Sequence, residues 1–168
     1  MEVNHIKLLA EQLPESSRQE FVRYVHNLLD NDQWYGIDHT FLGFMDDYES
    51  LKGLIERHII EESNDGPWKF HNGRNFVIYD VGCATALQHV FFGKCKGYVG
   101  ISPPGPPIPQ FFLPNCTFYS GYLSEVIDQM DIDYDNSFGI ANMSILYDRR
   151  ESDELEIFNR VFKRKFII

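Results

Sequence analysis

The chain has 168 residues, of which 43% are hydrophobic and 15% aromatic, so it has enough apolar surface for a core and is not expected to be disordered. Its formal net charge of −10 argues against a protein that binds nucleic-acid backbones, because that binding depends on lysine and arginine. We interpret the charge as favouring solubility; the alternatives are an acidic face that docks a basic partner or one that imitates nucleic acid.

The three cysteines predict neither a disulfide framework nor a zinc site. Cys83, Cys95 and Cys116 are odd in number and contain no C-x-x-C pair. Reduced thiols favour a cytoplasmic location. The first residues show no basic region followed by an apolar run, so we expect no signal peptide. No apolar stretch approaches the roughly 20 residues that span a bilayer, and we predict no membrane association and no metal site.

Residues 1–66 are predicted to form an N-terminal helical cap. Apolar residues recur at helical spacing in three stretches, which are Val3 to Leu13, Phe21 to Leu29 and Leu51 to Ile59. Pro14 separates the first two helices. An aromatic loop that contains Trp34 and Tyr35 precedes the third, and the Ser-Asn-Asp-Gly-Pro run at 63–67 marks the domain boundary.

Residues 67–168 show short apolar strands that alternate with helices, which is typical of an α/β domain. The predicted strands are 76–81, 97–101, 117–120 and 138–142, with 165–168 as a fifth strand or only a stub. The predicted helices are 86–92, 123–130 and 155–162. A proline-rich segment from Pro103 to Pro109, which cannot be helical, follows the second strand.

The segment Asp80-Val81-Gly82-Cys83-Ala84-Thr85-Ala86 resembles the first motif, D/E-x-G-x-G-x-G, of class I S-adenosylmethionine-dependent methyltransferases. The stretch Tyr98-Val99-Gly100-Ile101-Ser102 is similar to their second strand, and the segments 118–123 and 138–143 resemble the regions of strands three and four. The G-x-G-x-x-G pattern of nicotinamide dehydrogenases is not met. The resemblance implies a divergent, C-terminally shortened member. Its fold would be a Rossmann-like three-layer αβα sandwich with a shortened, mostly parallel sheet and the helical cap.

This resemblance implies that S-adenosylmethionine is the cofactor and that a methyl group is transferred to an unknown acceptor. The implied cofactor-binding residues are Asp80, Gly82, Cys83, Ala84, Ser102 and Tyr122. Asn142, at the end of strand four, would face the acceptor, and Trp34 with Tyr35 would close over the pocket as a lid. No residue is predicted as a general base.

Three departures from the family pattern support a second hypothesis. Ala84 and Ala86 replace glycines, and Ser102 replaces the carboxylate that accepts hydrogen bonds from the ribose. The alternative is therefore a catalytically inactive protein of the methyltransferase fold that acts as a protein-interaction module through its acidic surface and proline-rich loop. A third hypothesis is an enzyme that uses the same pocket for another adenosyl or nucleotide ligand. The short sheet also predicts a homodimer or a protein partner that covers its edge.

Overall fold

A computed structural model describes residues 3–11, 13–30, 75–93, 95–105, 108–141 and 153–167. Its α-helices are α1 (Val3–Glu11), α2 (Glu15–Asp30), α3 (Leu123–Val126) and α4 (Glu154–Val161). Its 3-10 helices span Leu87–Phe92, Ile127–Gln129 and Tyr134–Asn136. Its strands are β1 (Val77–Val81), β2 (Gly97–Ser102), β3 (Cys116–Ser120), β4 (Ser137–Ala141) and β5 (Lys165–Ile167).

The five strands form one parallel sheet in the order β3-β2-β1-β4-β5. The chain moves outward from the central β1 through β2 to β3, and then returns to the other side of β1 for β4 and β5. Parallel strands need crossover connections, which agrees with the predicted alternation of strands and helices. The α/β class is therefore confirmed, and every pair in the described sheet is parallel.

The two faces of the sheet enter different hydrophobic clusters because side chains alternate along each strand. Ile78, Tyr98 and Phe138 face one side, where they pack with Phe92 of the first 3-10 helix. Tyr79, Ile101 and other residues of the opposite face pack against α3 and α4. Helical segments thus contribute to the burial of both faces.

The N-terminal helices bury their apolar stripes against the segment that follows β1. Ile6, Leu9, Phe21 and Val25 share a cluster with Leu87, Val90 and Phe112. The rings of Phe21 and Phe112 meet edge to face with centroids 5.3 Å apart. The predicted break at Pro14 is confirmed, and Arg18 bridges it by donating to the carbonyl oxygens of Leu13 (3.0 Å) and Glu11 (3.1 Å). No helix within the described ranges has the length and apolar character needed to cross a membrane.

The segment after β1 differs from the predicted α-helix, because Leu87–Phe92 is a 3-10 helix. The carbonyl oxygen of Ala86 accepts hydrogen bonds from both the backbone N–H and the Nδ1 atom of His89. Both bonds span three residues, which favours the tighter 3-10 turn. The predicted helix at 123–130 likewise divides into α3 and a 3-10 turn. The predicted third N-terminal helix and the boundary at 63–67 lie outside the described residues.

Candidate functional site

The turn after β1 contains three left-handed residues in alternating positions. Gly82 has φ 81°, Ala84 has φ 47° and Ala86 has φ 56°. A positive φ costs a residue with a Cβ about 1–2 kcal/mol, and for this reason glycine is the usual residue there. The turn therefore keeps a backbone shape that suits glycine at all three positions while two of them carry alanine.

Hydrogen bonds from the turn to the adjacent strand hold it in this conformation. The backbone N–H groups of Gly82 and Cys83 both donate to the carbonyl oxygen of Ile101, over 2.7 and 3.1 Å. The Cys83 side chain is fully buried and lies against Gly100, where an added Cβ would come within 2.9 Å of the sulfur. Close packing of the turn on β2 thus depends on the missing side chain at Gly100.

The carboxylate of Asp80 points into the core below the turn. It accepts hydrogen bonds from the Tyr98 hydroxyl and, over 2.7 Å, from Nε2 of Gln88. The same Gln88 nitrogen lies 3.0 Å from the carbonyl oxygen of Cys83. Asp80 is 1% exposed and Gln88 is fully buried. This network ties β1, the turn and β2 together.

His89 connects the turn to the segment that follows the proline-rich loop. Its Nδ1 atom lies 2.6 Å from the carbonyl oxygen of Ala86, and its Nε2 atom accepts from the backbone N–H of Phe112 over 2.9 Å. Because a carbonyl only accepts and an N–H only donates, this pair of bonds assigns the neutral Nδ1-protonated ring. Burial lowers the pKa of His89 to about 4, although the bond to Ala86 opposes that shift.

The ends of β2 and β3 lie at the same edge of the sheet as the turn. The carbonyl oxygen of Ser102 accepts from the backbone N–H of Gly121 over 2.8 Å, and the backbone N–H of Tyr122 donates to Glu125 over 2.9 Å. Ser102 and Tyr122 are half-buried. Both side chains therefore retain some exposure at the edge where the turn lies.

A buried carboxylate on α4 stabilises the start of α3. Oε1 of Glu154 accepts from the backbone N–H of Ser124 over 3.1 Å and also from the Ser124 hydroxyl. Glu154 is 1% exposed, so these bonds compensate part of the cost of removing a charged group from water. The contact joins the helices that follow β3 and β4.

The structure brings the predicted cofactor-binding residues to one edge of the sheet. The segment 80–84, Ser102 and Tyr122 all lie at or next to the carboxyl ends of β1, β2 and β3. The Asp80 carboxylate and the Cys83 thiol are buried, whereas Ala84 is half-buried. Asn142, Trp34 and Tyr35 lie outside the described residues.

Four buried polar residues near this edge were not predicted as site residues from the sequence. They are Gln88, His89, Thr85 and Glu154. For the first two a signal exists, since a glutamine and a histidine interrupt an otherwise apolar run at 87–92, and buried polar groups require partners. Glu154 gives no such signal, because acidic residues are common in the first turn of exposed helices.

All three cysteines are free thiols. Burial raises the pKa of Cys95 to about 12 and that of Cys116 to about 11, which keeps both protonated at neutral pH. Within the described ranges, no group of three or more histidine, cysteine or acidic side chains is arranged to hold a metal ion.

In open parallel sheets, ligands bind outside the carboxyl ends of the strands, at the point where the strand order reverses. Here the order reverses between β1 and β4, beside the turn at 82–86.

No family model matches this chain, and neither a curated protein nor a solved structure shows significant similarity to it.

Proposed function

We propose that this protein binds S-adenosylmethionine at the carboxyl edge of β1, β2 and β3, in a Rossmann-like core, as a methyltransferase-like protein. The observation that carries the proposal is the alternation of left-handed residues at 82, 84 and 86 at the switch in strand order. That backbone shape suits a turn that a ligand approaches closely. Two alanines keep it despite their steric cost, which supports a retained ligand site.

Each residue of the proposed site has a limited task. The turn presents backbone to the ligand, and the buried Asp80 network fixes the shape of the turn rather than contacting the ligand directly. Ser102 provides a single hydroxyl toward the ribose, and the Tyr122 ring stacks on the base. Bound S-adenosylmethionine supplies an activated methyl group. The chain would contribute mainly positioning.

Titration with S-adenosylmethionine and S-adenosylhomocysteine tests the proposal by heat and by thermal melting. A ligand that binds only the folded state raises the melting temperature once its concentration exceeds Kd. Ser102→Asp should tighten binding about tenfold to a hundredfold by restoring the ribose acceptor. Ser120→Asp is the matched control. Ser120 is exposed and pairs with Ser102 in the strand register, so the substitution adds the same charge one strand away.

The proposal is wrong if neither the wild type nor Ser102→Asp shows heat or a melting shift at about millimolar ligand, a regime that detects even weak complexes. Equal tightening by Ser102→Asp and Ser120→Asp would also count against it, since the effect would then not depend on a ribose contact.

A second candidate function is a protein-interaction module without catalysis. Ile108 lies between two prolines and is 78% exposed, so an apolar side chain of the proline-rich loop is accessible to a partner. Proline-rich extended segments bind aromatic-lined grooves. This hypothesis predicts that the wild-type protein captures a partner and that Ile108→Asp does not. The control is Asp128→Asn, which changes an exposed side chain in the 3-10 turn after α3 and should leave capture intact.

A further inference from the structure

A cavity lies at the opposite end of the sheet from the proposed adenosyl site. It has a volume of about 260 Å³ and is lined by Val77, Tyr79, Lys96, Asp131, Asp133 and Asn136. Val77 and Tyr79 belong to β1, Lys96 immediately precedes β2, and the other three belong to the segment before β4. A single water occupies about 30 Å³ in the liquid, so the cavity has room for a small organic molecule.

The wall of this cavity contains a tyrosine whose hydroxyl has no hydrogen-bond partner among the described residues. Tyr79 is 5% exposed, and its hydroxyl makes no hydrogen bond to any described residue. Its ring packs on Phe162 with centroids 5.3 Å apart, which fixes the orientation of the side chain. Burial, Tyr119 and Asp131 all raise the pKa of Tyr79, so the phenol stays protonated and is able to donate. An immobilised donor that lines a cavity suits an acceptor on a ligand.

Charged groups of both signs line the same cavity. Asp133 is held in place by hydrogen bonds from the Asn136 side chain (2.9 Å) and from the backbone N–H of Asp135 (3.2 Å). The Asn136 bond, with smaller contributions from the backbone and Lys96, lowers the pKa of Asp133, so it is ionised at neutral pH. Asp131 adds a second carboxylate and Lys96 an ammonium group.

We propose that this cavity binds a small amino-acid zwitterion whose ammonium group lies near Asp131 and Asp133 and whose carboxylate meets Lys96 and the Tyr79 hydroxyl. Two carboxylates attract a cation, but a simple amine would also be repelled by Lys96. A ligand with one charge of each sign can meet charged groups of both signs and gives Tyr79 an acceptor. A metal ion is a poor fit, because the described residues contain no cluster of three acidic, histidine or cysteine ligands.

The test is a titration of the whole chain with glycine, β-alanine and γ-aminobutyrate as probes, monitored by two-dimensional amide NMR. These probes separate the two charges by increasing numbers of methylene groups, so the best binder also reports the span of the site. We expect saturable shifts at the amides of Lys96, Asp131, Asp133 and Asn136 for at least one probe. Butyrate and butylamine each lack one of the two charges. Each should bind about tenfold more weakly than the best-binding of the three zwitterions.

Substitutions of cavity residues distinguish binding in the cavity from non-specific effects of the probes. Tyr79→Phe should weaken the best probe about fivefold to tenfold by removing one donor, and Asp131→Asn should weaken it about tenfold. The matched controls are Tyr24→Phe on α2 and Asp128→Asn on the surface, which should leave affinity unchanged. Each variant is folded if the amide chemical shifts of residues outside the cavity match those of the wild type.

Three results would each overturn the proposal. The first is the absence of shifts at the four cavity amides for all three probes at about 20 mM, a concentration that reveals even millimolar affinity. The second is equal binding of butylamine and the best zwitterion. The third is an unchanged affinity in Tyr79→Phe. Because the cavity lies at the other end of the sheet, these results are independent of the response to S-adenosylmethionine.

Discussion

The backbone N–H of Phe112 donates a 2.9 Å hydrogen bond to Nε2 of His89, and this contact attaches the segment after the proline-rich loop to the turn after β1. His89 accepts at one nitrogen and donates from the other, to Ala86. Protonation of Nε2 would replace its acceptor lone pair with a second donor facing the Phe112 N–H. Phe112 also packs on Phe21 of α2, so the contact bears on the docking of the N-terminal helices.

We predict that stability falls as the pH decreases from about 6.5 to about 4. Burial lowers the folded-state pKa of His89 from 6.5 to about 4. Above the unfolded pKa both states are neutral and the contribution of His89 is fully present. Below it the unfolded chain takes up a proton first, so the free energy of unfolding decreases, by up to about 3 kcal/mol near pH 4.

Urea unfolding at a series of pH values measures this effect. His89→Gln should be less stable than the wild type at neutral pH and should show a flatter profile between the two pKa values. The control is His26→Gln, a partly exposed position on α2, which should retain the wild-type profile. If the His89→Gln and wild-type profiles are parallel, the neutral buried histidine is not the cause of the acid sensitivity.

We predict that Ala84→Gly raises the free energy of unfolding by about 0.5–1 kcal/mol, because relief of positive φ outweighs the entropy that glycine gains when unfolded. Ala86→Gly should be nearly neutral, since it also removes a fully buried methyl group worth about 0.8 kcal/mol. The measurement is urea or thermal unfolding. Ala10→Gly in α1 is the control and should be destabilising by about 1 kcal/mol or more.

The strand positions were predictable because each strand is a short apolar run with clear borders. The predicted and observed bounds of β1, β2, β3 and β4 differ by about one residue. The direction of the Asp80 side chain was not predictable, since it depends on Tyr98, which lies on the neighbouring strand. Glu154 is similar: its partner Ser124 is 30 residues away, and only the packed helices bring them together.

We predict that Tyr98→Phe lowers the free energy of unfolding by about 1–3 kcal/mol, because it removes a donor from the buried Asp80 carboxylate. Tyr24→Phe is the matched control. Tyr24 is half-buried, but its hydroxyl has no hydrogen bond to the described residues, so the expected change is within about 0.5 kcal/mol. Equal losses in the two variants would show that the bond to Asp80 contributes little.

We predict that Gly139→Ala is strongly destabilising, because β4 packs so closely on the helical layer that no Cβ fits. An added Cβ would lie 2.6 Å from Cγ of Phe162 and 2.9 Å from Cε2 of Phe158, and both rings are fully buried. Neither ring is free to withdraw without disturbing the core, so the expected loss is about 1–3 kcal/mol or more.

Gly93→Ala provides the comparison for the same added methyl group. Gly93 has φ −61° and would place its Cβ 3.4 Å from a Leu113 methyl, which is ordinary contact. The gain from a less flexible unfolded chain should make this variant neutral or more stable by up to about 1 kcal/mol. Denaturant unfolding of both variants measures the difference. If Gly139→Ala were as stable as Gly93→Ala, β4 and α4 would have to lie farther apart than the structure places them.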